Sequence, residues 1–168
     1  MLIKFDMNNV FDRVKLSFLY QVLKSFGFST DFVSLIKACT DRPWIAPLVN
    51  GRPSKFFQAS RGLCQGYPLS PFLYILMAES LSRKLSAELA IGSLLGIKIA
   101  SGVNPINHAL FADDSLLLGG VSLSIARDFN GILLNFCLIS GALIIKKTRV
   151  FSMDGLLTKD LSLEFHIP

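Results

Sequence analysis

Histidine and cysteine are scarce here, with two of the first (His108, His166) and three of the second (Cys39, Cys64, Cys137). The cysteines are odd in number and far apart, and no pair has metal-ligand spacing, so a zinc site is not supported. They read as reduced, partly buried thiols. Charge is also sparse, at 17% of residues against 51% hydrophobic, with a mean hydropathy of +0.51. That excludes a disordered chain, because there is ample apolar material for a core. Long hydrophobic runs are missing as well. The most apolar stretches, Pro71–Ala78 and Ile132–Ile145, are short or are broken by Asn135, Ser140 and Gly141. Neither reaches the roughly eighteen unbroken apolar residues of a spanning helix. The opening MLIKFDMNNVFD carries acids where a secretory signal would need an apolar centre. The expectation is a soluble, intracellular protein with no membrane partner.

No repeat, low-complexity tract or linker divides the 168 residues, which suit one domain. The net charge of +5 suits a polyanionic partner without demanding one. Leu2–Phe5 reads as a buried strand ending at Asp6. Val14, Phe18, Leu19, Val22, Leu23 and Phe26 follow helical spacing and stop at Gly27. Ser29 or Thr30 caps a second helix carrying Phe32, Val33 and Ile36. Asn50-Gly51, between apolar residues of Trp44–Gln58, predicts a hairpin. Ser70-Pro71 reads as an N-cap followed by proline at the first helical position, and Leu73, Leu76, Met77, Leu81 and Leu85 then form one face. Gly96–Ile99 reads as a strand, and His108–Leu118 as a strand pair turning at Asp113-Asp114. Ser124 opens a helix through Ile125, Phe129, Ile132, Leu133 and Phe136 that closes near Gly141, and Leu143–Phe151 is a last strand. Strands interleaved with helices, including an antiparallel pair, point to an α+β sandwich of the ferredoxin-like kind.

The chemistry sits in acids at strand ends. Asp113 and Asp114 are adjacent and flanked on both sides by hydrophobic residues, which is costly unless something neutralises them. A divalent cation does so, and Mg²⁺ accepts one or two carboxylates with phosphate oxygens and water. If the first strand lies beside the 110–118 hairpin, Asp6 joins the pair at one sheet edge. Taken alone, Asp113-Asp114 reads equally well as a polar turn.

Four blocks in order break the tie. Phe5-Asp6-Met7-Asn8-Asn9-Val10-Phe11-Asp12, Arg61-Gly62-Leu63-Cys64-Gln65-Gly66-Tyr67-Pro68-Leu69-Ser70-Pro71-Phe72, Phe111-Ala112-Asp113-Asp114, and Ser140-Gly141 with Lys147-Thr148 together resemble the palm of a reverse transcriptase. The resemblance is strongest to the non-LTR (LINE-type) retrotransposon enzymes of plants and runs from about Leu2 to Phe151. It implies an antiparallel palm sheet with helices packed on one face over residues 1–151, then the start of a palm-to-thumb connection over 152–168. It further implies two Mg²⁺ ions, with Mn²⁺ as substitute, held by Asp6, Asp113 and Asp114. The partners it implies are an RNA template, a DNA primer and a dNTP, and no specific protein partner.

Under the same resemblance, Phe11 is the steric gate beneath the incoming sugar, Gln65 and Gly66 line the nucleotide pocket, and Arg61 contacts triphosphate or template. Lys147 gives a proton to pyrophosphate. The plainer alternatives are a core phenylalanine, a solvated loop arginine and a surface lysine. Tyr67 stands where the family usually has aspartate and Val10 where it usually has alanine. The fourth block is about one residue short, and an asparagine usual near Ile145 is missing. Most of the fingers and the whole thumb are expected to be absent, which makes a catalytically inactive remnant with weak nucleic-acid binding the alternative to a working polymerase. An unrelated RNA-binding sandwich ranks last, because no aromatic-rich strand motif is present. A nuclear or cytoplasmic site follows only from what such elements do.

Overall fold

The computed structural model describes residues 1–144 and the backbone of 149–151. Strand β1 (Leu2–Asp6) alternates, with Ile3 and Phe5 buried and Lys4 exposed. A short helix α1 (Val10–Arg13) follows, then α2 (Leu16–Ser25), whose Phe18, Leu19, Val22 and Leu23 face inward at helical spacing. Helix α3 (Thr30–Thr40) is capped by Ser29, whose hydroxyl accepts the Phe32 N–H at 3.2 Å. Two small ladders come next. Strand β2 (Trp44–Ile45) pairs with β5 (Phe57–Gln58), and between them β3 (Leu48–Val49) pairs with β4 (Arg52–Pro53). The inner turn is Asn50-Gly51, both at positive φ (50° and 76°), as the hairpin reading requires.

Helix α4 (Ser70–Ala90) is the longest element described and buries Leu73, Tyr74, Met77, Leu81 and Leu85. Strands β6 (His108–Phe111) and β7 (Asp114–Leu118) form a hairpin, α5 (Leu123–Ser140) crosses back, and β8 (Arg149–Phe151) completes the sheet. The sheet has four antiparallel strands in the order β6-β7-β1-β8. Ile3 lies opposite Leu117 and Phe5 opposite Ser115, and all four are buried. Helices α2, α4 and α5 complete that core with Leu19, Leu23, Met77, Leu81, Phe129 and Leu133. The chain is therefore a mixed helix and antiparallel-sheet fold, as expected.

Several expectations need correcting. Ser70 does not cap α4: Leu69 holds the cap position, and the Ser70 hydroxyl donates to the Cys64 carbonyl at 2.7 Å. Residues 96–99 form no strand, only one isolated bridge between Ile97 and Ile106. Helix α5 is capped by Ser122, two residues ahead of Ser124, through an Oγ acceptor 3.2 Å from the Ser124 nitrogen. Of the strand expected over 143–151, Ile144 bridges Met7 and 149–151 pair with β1, while 145–148 lie outside the described residues. By length and composition α5 is also apolar enough to cross a membrane, contrary to the reading of broken runs. Its apolar stripe of Ile125, Ala126, Phe129, Leu133 and Phe136 is spent on the core.

Phe129 is fully buried and Leu138, on the same helix, is 73% exposed. Phe129→Ala should therefore cost about 3–5 kcal/mol and Leu138→Ala under about 0.5 kcal/mol in urea unfolding.

Candidate active site

The β1–β7 ladder brings two of the sequence-predicted acids face to face, since Asp6 is the direct partner of Asp114. The turn between β6 and β7 is Ala112-Asp113, one residue earlier than expected, so Asp114 is the first residue of β7. Ala112 takes the left-handed conformation (φ 51°). The Asp113 carbonyl accepts the Met7 N–H at 3.1 Å, which closes the turn against the end of β1. Lys4, two residues along β1 on the same face, pairs with Asp114 at 2.8 Å. Both partners are about half exposed, so the pair is worth under about 1 kcal/mol. Asp6 differs: its Oδ1 is buried with no hydrogen-bond partner. An unpaired buried carboxylate oxygen is costly and marks a position where a cation would be welcome.

Beside the turn lies a cavity of about 830 Å³ between α1, the N-terminal half of α4 and β6. Phe11, Gln65 and Asp113 all line it, so three predicted residues from distant parts of the chain share one space. Tyr74 lies on the α4 wall, with its ring 5.3 Å from that of Phe11. Its hydroxyl donates to the Ala112 carbonyl at 2.8 Å. Burial, helped by the Asp113 charge, pushes the Tyr74 pKa up to about 12, so the hydroxyl stays protonated and keeps donating. Further along α4, Ser82 Oγ lies 2.8 Å from His108 Nε2, and His108 Nδ1 lies 2.7 Å from Asn107 Oδ1. Burial lowers the His108 pKa below its ordinary 6.5, against a weaker upward pull from the Glu79 carboxylate.

The 61–66 loop is docked on α1 by backbone. Gly62 N–H donates to the Val14 carbonyl (2.9 Å) and Leu63 N–H to that of Phe11 (2.6 Å). The Gln65 amide reaches the Asp12 carboxylate at 3.3 Å. Gly66 borders a smaller cavity of about 290 Å³ shared with Phe11 and Gln65. Arg61 is exposed and lines a second cavity of about 560 Å³, with Asp12, Trp44 and Tyr67, rather than the one that Asp113 lines. Lys147 lies outside the described residues. Sequence reasoning missed Tyr74, Asp12, Ser82 and the Lys4 partner of Asp114. None belongs to a quoted motif in a catalytic role, and only Tyr74, four residues past Ser70 on the buried face, carried a periodic signal.

Comparison with known proteins bears directly on this arrangement. The family described as reverse transcriptase (RNA-dependent DNA polymerase) matches residues 1–147. The chain belongs to the reverse transcriptase family. Three relatives fit that placement. An uncharacterized mitochondrial protein of Arabidopsis thaliana is 46% identical over 68 residues, 40% of this chain and 56% of that protein. The retrovirus-related Pol polyprotein from a type-2 retrotransposable element of Drosophila melanogaster is 30% identical over 112 residues, 67% of this chain and 10% of the polyprotein. The corresponding polyprotein from a type-1 retrotransposable element of Popillia japonica is 28% identical over 117 residues, 69% of this chain and 18% of its own length. This reverse transcriptase chain thus spans about half of the first relative and a small part of the two polyproteins.

Reverse transcriptases use divalent metals, and the donors here suit that chemistry: hard carboxylate oxygens, one of them orphaned and buried. Among the described residues, however, no three acids gather closely enough to form a ready-made metal cluster. Asp6 and Asp114 meet across the ladder, Asp113 faces the cavity, and Lys4 occupies Asp114.

Two outcomes follow for this reverse transcriptase loop and cavity. Gly62 and Gly66 both have positive φ (91° and 86°), but a Cβ on Gly62 would sit 2.8 Å from the Asp12 carbonyl oxygen, whereas Gly66 faces open space. Gly62→Ala should cost roughly 3 kcal/mol and Gly66→Ala about 1 kcal/mol by thermal or urea unfolding. For His108, the lowered pKa means that the stability gained by keeping the ring neutral is present above pH 6.5 and lost as pH falls below it. Unfolding midpoints measured from pH 7.5 to 5 should fall more steeply for the parent than for His108→Gln.

Proposed function

We propose that this chain is the ferredoxin-like palm of a retrotransposon reverse transcriptase and serves RNA-directed DNA polymerisation. The observation that carries the reading is the register of β1 on β7, which sets Asp6 opposite Asp114 beside a turn whose Asp113 opens into the cavity of Phe11 and Gln65. The all-antiparallel order β6-β7-β1-β8 supports the palm assignment. In this reading the primer 3′-hydroxyl attacks the α-phosphate of a dNTP and pyrophosphate leaves. Asp6, Asp113 and Asp114 would hold two divalent cations, Mg²⁺ or Mn²⁺, which when bound would supply Lewis acidity to the attacking hydroxyl and the leaving phosphates. Phe11, held by Tyr74, packs beneath the sugar and excludes a 2′-hydroxyl. Gln65 and Gly66 line the nucleotide, Arg61 meets triphosphate or template, and Lys147 donates a proton to pyrophosphate. The segment from Arg42 to Phe57 suits a single-stranded template, since it exposes both aromatic Trp44, Phe56 and Phe57 and basic Arg42, Arg52 and Lys55.

A second reading, a chain that binds nucleic acid without extending it, is favoured by two observations. Tyr67 puts a half-exposed phenol beside Arg61 where the family usually has an acid, and Lys4 already neutralises Asp114. Primer extension on an RNA template with dNTPs and Mg²⁺ or Mn²⁺ separates the two. The parent should extend, and Asp113→Asn should lose at least about 100-fold in rate while binding primer–template as the parent does. Binding without extension by a folded parent would select the second reading, and Tyr67→Asp would then report whether that phenol is the cause.

A further inference from the structure

We propose that α4 positions the Asp113 turn through two side-chain tethers, one from Tyr74 and one through His108. The inference deepens the polymerase reading and rests on it for its catalytic half. Strand β6 is the edge of the sheet, and none of its four residues is fully buried. Burial therefore does little to fix it, and beyond its ladder with β7 and the Met7 N–H bond to the Asp113 carbonyl, two contacts with α4 hold it in place. At the turn, the Tyr74 hydroxyl donates to the Ala112 carbonyl at 2.8 Å. At the far end of β6, Asn107 Nδ2 donates to the Leu85 carbonyl at 2.7 Å, and the buried Asn107 in turn holds His108.

Because the Asn107 NH₂ is committed to Leu85, its Oδ1 is the acceptor. His108 Nδ1 then carries the proton, and Nε2 accepts from the Ser82 hydroxyl at 2.8 Å. The network returns to the helix it left. Tyr74 and Ser82 are eight residues apart on the helix, about 12 Å of rise. From His108 to Phe111 the chain is extended over about 10 Å, and Ala112 in the turn adds one Cα step of at most about 3.8 Å. The two tethers are thus rungs of nearly equal spacing between a helix and a strand, and they hold the hairpin at both ends. Ala112 adds a reason for the first rung. A non-glycine residue at φ 51° is strained, and the Tyr74 hydroxyl holds its carbonyl in the orientation that strain opposes. Released, the turn would relax and carry Asp113 with it.

The test uses the full chain, its Tyr74→Phe and Ser82→Ala variants, and the double variant Tyr74→Phe/Ala112→Gly. Steady-state primer extension gives kcat and KM for dNTP, and amide hydrogen exchange reads the Met7 N–H that donates to Asp113. Each single variant should lower kcat about tenfold with KM within about twofold, and speed Met7 exchange while α5 amides keep their protection. Glycine at 112 takes the left-handed conformation without strain, so the double variant should recover part of the lost kcat. Unchanged Met7 exchange in Tyr74→Phe would overturn the tether whatever the activity. Faster exchange with parental kcat would overturn the positioning role. If the parent does not extend primers at all, the polymerase reading and the catalytic half of this proposal fail together. The exchange data then still decide whether the tether exists.

Discussion

The pairing of β1 with β7 is the constraint on which the rest of the molecule depends. It is a ladder between residues more than a hundred positions apart, Leu2 with Leu118 at one end and Asp6 with Asp114 at the other. Its register is set by burial. Ile3, Phe5, Ser115 and Leu117 must all face the helices, and a slip by one residue would turn Ile3 and Phe5 out to solvent. The same slip would send Asp6 to the inner face. The hydrophobic pattern of a five-residue strand therefore decides where a carboxylate stands, and a core requirement becomes a chemical one.

That dependence explains how much could be read from the chain alone. Helices α2 and α3 and strand β1 were legible because their apolar residues recur at a period that one face of one element demands. Asn50-Gly51 was legible because few residues accept positive φ. Boundaries were harder where two local signals compete. Ser70-Pro71 has the composition of a cap and first turn, yet the serine hydroxyl is drawn to the Cys64 carbonyl and the helix begins with it instead. The turn expected at Asp113-Asp114 moved back by one because β7 needs Asp114 in register with Asp6, and Ala112 accepted an unfavourable φ in exchange. The four-residue α1 is too short to leave any periodic trace.

The candidate site divides along the same line. Phe11, Gln65 and Asp113 were recognisable as residue types in order along the chain, and they do line one cavity. What surrounds them was not recognisable. Asp12 meets Gln65 across more than fifty residues, Tyr74 meets Ala112 across more than thirty, and Lys4 reaches Asp114 only because β1 lies beside β7. Such contacts depend on which faces happen to oppose one another after folding, and no spacing within a single element encodes them. Arg61 shows the converse, a residue picked out by its motif that opens on a different cavity from Asp113.

The interior place of β1 also has a consequence in time. Flanked by β7 on one side and β8 on the other, the strand can make none of its ladder bonds until chain more than a hundred residues downstream has arrived. Helices α2 and α3, adjacent in sequence, can dock much earlier, since short loops close at little entropic cost. Throughout that interval Asp6 and Asp114 are strangers in water, each fully hydrated and neither repelling the other. Closing that long-range ladder is what brings the two carboxylates together, with Lys4 on the same strand arriving as the partner of Asp114. A folding route of this kind lets the local helix pairs form before the two acids ever meet.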